Sequence, residues 1–283
     1  MKGTGLKLLA FQGWNVAIPS DCNPSHIEGA FRKGAIHVAD MDQPRLALRW
    51  HYIPQQRFNP HRILSNELSP DELPRAKPTA SAVGLSSQWL YTSPTRNLFL
   101  AHSPTTHRII QILHQPDDNI CFENDILPTL ADTSPTAPTR WSLFDLACTT
   151  PADFVLSQHN FFAGDLTLSF TCNREFLNIR QISPAPLALS RRPLRAWLAD
   201  QEKQLLPHYA PGGDFSEHKL HVTGLAGVTR TAARRKRFAF KYWLPPQIMT
   251  RALHDPQRDR LLLLQGTNAV HLDDLALSTI TAT

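Results

Sequence analysis

GWNVAIPSDCNP at 13–24 returns in outline as RWSLFDLACTTP at 140–151, with Trp and Pro ten positions apart in both. Each copy runs on to a glycine, Gly34 or Gly164, beside an alternating stretch, AIHVAD or DLTLSF. PRLALRW at 44–50 and REFLNIR at 174–180 come next, so that Leu46 and Leu48 match Leu177 and Ile179. Alternating apolar and polar residues mark a half-buried strand, and a glycine suits the tight turn between two of them. Both copies therefore predict antiparallel hairpins.

A helix is expected after each hairpin. Asn59 and Pro60 suit the N-cap and first helical position before Ile63 and Leu64, and Pro193 opens LRAWLADQEKQLL. At the domain ends, RNLFLAHSPTTHRIIQIL from Arg96 parallels RLLLLQGTNAVHLDDLAL from Arg260, each predicting a strand, a polar turn and a short amphipathic helix. Matches in one order predict a tandem duplication. The expected class is α+β, two related domains that each hold a mainly antiparallel sheet with flanking helices. The expected boundaries are 1–118, a Pro/Thr-rich linker at 119–139, and 140–283, with a basic insertion of the second copy near 212–243.

This order of elements, on the Trp-to-Pro openings, the glycine-centred hairpins and the terminal strand and helix, resembles the MOG1/PsbP-like α/β/α sandwich. The resemblance covers roughly residues 10–115 and 138–282. It implies assembly or accessory modules without catalytic residues, so it carries no site residue to this chain.

At 283 residues the chain is long enough for two domains with a core each. Hydrophobic residues at 42% against 19% charged exclude an intrinsically disordered chain. No apolar run approaches the ~20 residues that span a bilayer, and the opening MKGTGLKLLAFQGW is too short in apolar residues for a signal peptide, so the expected location is cytoplasmic. Cys22, Cys121, Cys148 and Cys172 are far apart in the chain and are expected to be mostly buried thiols. The tryptophans Trp14, Trp50, Trp89 and Trp141 are expected in the core.

The net charge of +5 points to an anionic partner, and it is concentrated: 218–254 holds eight Lys and Arg and no Asp or Glu. Within TRTAARRKRFAFKYW at 229–243, cations meet alternating aromatics. Such a pattern serves an acidic protein surface, an anionic membrane or single-stranded nucleic acid, or it is a core strand beside a solvated basic loop. The leading expectation is a non-catalytic binding or assembly protein whose partner-binding residues are Arg230, Arg234, Arg235, Lys236, Arg237 and Lys241. A nucleic-acid-binding protein is the second expectation, and an enzyme with its site in the interdomain cleft is the third.

No Gly-x-Ser-x-Gly, Cys beside His or His-Glu-x-x-His is present, so no catalytic residue is assigned. His218 and His221 read as opposite faces of a strand, and no metal set or cofactor is inferred. Asp40 with Asp42, Asp117 with Asp118 and Asp273 with Asp274 fall where Asp is favoured for turn and cap geometry alone.

Overall fold

The computed structural model describes residues 5–116, 120–206, 208–219, 226–235 and 244–281. Strands take 51% of the chain and helix 17%, distributed over three sheets, so the fold is mainly β. This corrects the α+β expectation. Two compact units divide at Ala147 and Cys148.

In the first unit β1 (Leu6–Phe11) and β2 (Trp14–Pro19) form a hairpin, followed by β3 (Asn23–Ala30), β4 (Lys33–Ala39) and β5 (Pro44–Tyr52). The expected helix exists but is a single turn, α1 (Pro60–Leu64), with the Asn59 side chain accepting from the Arg62 amide. β6 (Lys77–Thr79), β7 (Ser86–Thr92), β8 (Asn97–His102) and β9 (Arg108–His114) complete a seven-stranded sheet ordered β3-β4-β5-β9-β8-β7-β6. The stretch HRIIQIL was expected to be a helix, and it is β9. Ile109, Ile110 and Ile112 are all fully buried, on both faces of a strand that sits between β5 and β8. β-Branched residues lose little in an extended backbone, and burial on both faces erases the alternation by which a strand is recognised.

Residues 119–139, expected as a linker, include a π-helical turn at Phe122–Ile126 and a two-residue strand β10 (Ala131–Asp132) paired with β2. Phe122, Ile126, Leu127 and Leu130 there are buried. β11 (Thr139–Leu143) then pairs with β1, and β12 (Leu146–Thr150) closes a five-stranded sheet ordered β10-β2-β1-β11-β12. Phe11 of β1 stands edge-on to both Trp50 of β5 and Trp141 of β11, at ring separations of 6.2 and 5.7 Å, so it packs between strands of both sheets.

The second unit repeats the seven-stranded order. Its strands are β13 (Val155–Phe162), β14 (Asp165–Cys172), β15 (Glu175–Ile182), β16 (Tyr209–Lys219), β17 (Ala226–Arg234), β18 (Gln247–Asp255) and β19 (Arg260–Gly266). Their order is β13-β14-β15-β19-β18-β17-β16, the first sheet's order strand for strand. Helices α2 (Ala185–Leu189) and α3 (Leu194–Leu205) follow β15, and α4 (Ala269–Thr281) follows β19. Trp197 and Leu198 of α3 pack on Val228, Ala252, Leu261 and Leu263.

The register decides which residues correspond. Ile36 faces Leu48 across β4 and β5 as Leu168 faces Ile179 across β14 and β15, so the match of Leu48 with Ile179 holds in space. Trp14 opens β2, whereas Trp141 lies in β11, the other arm of its hairpin, so the two tryptophans are not equivalent. Nor does Arg96 correspond to Arg260. The counterpart of Arg260 is Arg108, since each opens the strand that pairs with β15 or β5. HSPTTHR at 102–108 and HDPQRDR at 254–260 share His, Pro and Arg in step and turn through a positive φ at His107 and Asp259.

Candidate functional site

The helical segment of the first unit covers only half of one sheet face. Leu64 and Leu68 pack with Tyr91, Leu98, Leu100 and Ile109, which are the side chains that β7, β8 and β9 present there. The other half of that face, formed by β3, β4 and β5, is open. Alternation puts Lys33, Ala35 and His37 of β4 on it, with Ile36 and Val38 buried on the opposite side. Register adds the rest: Lys33 pairs with His51, Ala35 with Arg49 and Glu28, His37 with His26, and Arg49 with Gln111. The result is a depression of about 660 Å³ lined by His26, Glu28, Lys33, His37, Arg49 and His51.

Small residues make it a depression. Ala35 is only 6% exposed at its floor. Gly29 and Gly34 face each other across β3 and β4, where the Trp50 indole passes under Gly34 and donates to the Ala30 carbonyl at 3.0 Å. The His26 and His37 rings meet edge-on at 5.6 Å, and His26 Nε2 is 3.4 Å from Glu28. Arg49 is 3.8 Å from Glu67 with both side chains accessible, a weakly held pair that leaves the guanidinium available. Burial, reinforced by Lys33, holds the His51 imidazole below its usual range and therefore neutral at neutral pH.

The sequence-predicted residues are placed differently. Arg230 lies in β17, and its Nη1 is 3.3 Å from Glu202 of α3, with side chains 18% and 6% exposed. Its guanidinium also sits 4.5 Å from the Phe215 ring. Arg234 donates to the Leu244 carbonyl at 2.7 Å and Arg235 to the Tyr209 carbonyl at 2.9 Å. Lys236, Arg237 and Lys241 lie outside the described residues. The three described arginines thus serve intrachain contacts, and Arg235 is the exposed one.

Burial raises the Glu202 carboxyl above its usual range, against the opposing pull of Arg230. Its Oε1 and the Arg230 Nε are buried without hydrogen-bond partners among the described residues. A raised carboxyl pKa means that the ionised form costs folding energy at neutral pH. That cost disappears below the ordinary carboxylate range and returns as pH rises through the folded pKa. Glu202→Gln, which keeps an acceptor for Arg230, is therefore expected to match or exceed wild-type stability at pH 7. The advantage should shrink on acidification, as read from urea midpoints at a series of pH values.

Asp40 is a turn residue. Its carboxylate accepts from the Asp42 and Gln43 amides at 2.7 and 2.8 Å and from Arg45 at 2.6 Å. Those bonds, the Gln43 amide first, hold its pKa down at about 2. Among the described residues no three His, Cys, Asp or Glu are grouped to hold a metal ion. Cys22 and Cys148 are buried, Cys121 is exposed and Cys172 is partly so, all as free thiols. No helix among the described residues is long and apolar enough to cross a membrane.

No protein-family profile matches the chain, and no curated protein does. Among solved structures, the apo immunity protein TplEi of the T6SS from Pseudomonas aeruginosa is similar at a TM-score of 0.28 and 8% identity, covering 98% of this chain and 96% of that one. At that level neither fold nor activity carries over, and the match neither supports nor refutes the MOG1/PsbP-like outline.

Proposed function

We propose that this protein is a non-catalytic binding protein whose partner is an acidic protein segment, seated on the open β3-β4-β5 face of the first unit. The observation that carries this reading is the face itself. A sheet whose helical cover stops halfway leaves Lys33, Arg49, His26, His37 and His51 converging on one depression, with Glu28 as the only carboxylate among the described residues that line it. Carboxylates along an extended segment complement that set, and a proton on His51, gained below the usual histidine range, strengthens it. A cytoplasmic location goes with the proposal, since four thiols without a disulfide suit a reducing compartment.

The test is fluorescence anisotropy with a short Asp/Glu-rich peptide, a Lys-rich control and single-stranded DNA. The acidic peptide should bind, more tightly once pH falls below the usual histidine range and the His51 imidazole gains its proton. The pair Lys33→Glu and Arg49→Glu should weaken binding by roughly a hundredfold, about 3 kcal/mol. Arg234→Ser with Arg235→Ser should leave it unchanged. DNA bound more tightly than the peptide, with a steep salt slope, would replace this reading with nucleic-acid binding. Peptide binding indifferent to Lys33 and Arg49 would remove the site.

A further inference from the structure

β3 and β13 hold the same outer place in two sheets of identical order, and each is bulged near its start, between Pro24 and His26 or between Leu156 and Gln158. Their sequences differ where an edge strand matters. β3, NPSHIEGA, contains a proline, a glutamate and a glycine, each of which discourages another strand from pairing. β13, VLSQHNFF, contains none of these and no charged residue. Its ends are apolar and open, with Val155 62% and Phe162 65% exposed. Beyond the bulge, Gln158–Phe162 is its longest unbroken run of pairing with β14.

We propose that β13 pairs antiparallel with β13 of a second copy of this chain, joining two seven-stranded sheets edge to edge about a two-fold axis. The proposal is independent of the peptide face, which lies in the other unit. The occupant is a second copy because of charge. Isologous antiparallel pairing sets a strand against itself, so any charged side chain near its centre would meet its own like, and β13 carries none. With the axis at Asn160, Gln158 faces the partner's Phe162 and His159 faces the partner's Phe161. The two Asn160 amides then lie opposite each other.

That register makes the test specific. Light scattering after gel filtration, over a range of concentrations, should report a dimer for the wild type. Asn160→Lys alone and Asn160→Glu alone should each be monomeric, with dissociation constants raised at least about tenfold. An equimolar mixture of the two should dimerise again, because opposite charges then meet. Ser25→Lys, on the corresponding edge of the first unit, should stay dimeric. Phe162→Lys, at an exposed position that no core depends on, should also be monomeric, with an unchanged far-ultraviolet circular dichroism spectrum. A wild type that is monomeric throughout overturns the proposal, as does a dimer that survives both Asn160 variants and Phe162→Lys.

Discussion

Asp132→Ala is expected to remove about 3–5 kcal/mol from the stability of the first unit, a large share of the roughly 5–15 kcal/mol that holds a domain folded. The reason lies in Arg108, whose side chain is fully buried and ion-paired with Asp132, itself 1% exposed. The guanidinium donates to the carbonyls of Gln12 and Phe31 at 2.7 and 2.8 Å and lies against the Trp14 and Phe31 rings at 4.7 and 3.9 Å. Thr106 also donates to Asp132. Removing the carboxylate leaves a full positive charge with neutral acceptors alone, in a site where burial already pushes its pKa down. The companion variant separates charge from packing. Arg108→Met with Asp132→Leu has no charge left to desolvate and should recover most of the loss in urea unfolding. If Asp132→Ala unfolds at the wild-type midpoint, the pair is a bystander and the joint between β9, β10 and the β1-β2 turn is held by apolar packing alone.

The second unit reaches the same end by another route. Arg260, in the place of Arg108, pairs with Asp255 of its own hairpin at 3.0 Å and donates to Gln181 at 2.9 Å. A buried arginine opening the central strand is therefore common to both units, while its counter-ion comes from β10 in one and from the hairpin in the other. The shared His-x-Pro-x-x-x-Arg spacing at 102–108 and 254–260 was available in the sequence. Arg96 stands before one apolar strand and Arg108 opens the next, and nothing local to either strand marks β9 as the central one.

The hairpins were legible because β3-β4-β5 and β13-β14-β15 alternate and turn sharply, and the strength of that local signal carried over into the correct pairing of Leu48 with Ile179. The helical share was overread: Asn59 and Pro60 cap one turn and no more, and β9 has the apolar run of a helix with the burial of a central strand. The site was not legible. His26, His37, Arg49 and His51 belong to three strands and acquire a common face only through register, which no local window contains. The basic run at 229–243 was conspicuous in sequence for the opposite reason, being local, and the carboxylate that answers Arg230 is contributed by a helix that precedes it in the chain. An arginine that looks free along the chain can thus be answered by a carboxylate of another element, as Arg230 is by Glu202.

Gly34→Ala is expected to cost about 1–3 kcal/mol and Gly34→Val to prevent the first unit from folding. A Cβ on Gly34 would lie 2.4 Å from Cζ2 and 2.8 Å from Cη2 of Trp50, and 2.6 Å from the Glu28 carbonyl oxygen. The ring cannot retreat, because Trp50 is 1% exposed and its indole nitrogen is tied to the Ala30 carbonyl. The carbonyl cannot retreat either without parting β3 from β4, since Gly29 opposite runs at φ +93° and its own Cβ would fall 2.3 Å from the Lys33 carbonyl. Trp50→Phe should therefore rescue Gly34→Ala only in part: it removes the ring contact and leaves the backbone one. The same displacement of β3 should loosen the acidic peptide by disturbing His26 and Glu28, although Gly34 lines the depression with backbone alone. Calorimetry and peptide anisotropy on Gly34→Ala then give a paired readout. Loss of both identifies the glycine pair as what spaces the floor of the site, whereas wild-type stability would mean that the β3-β4 ladder yields by several tenths of an ångström at little cost.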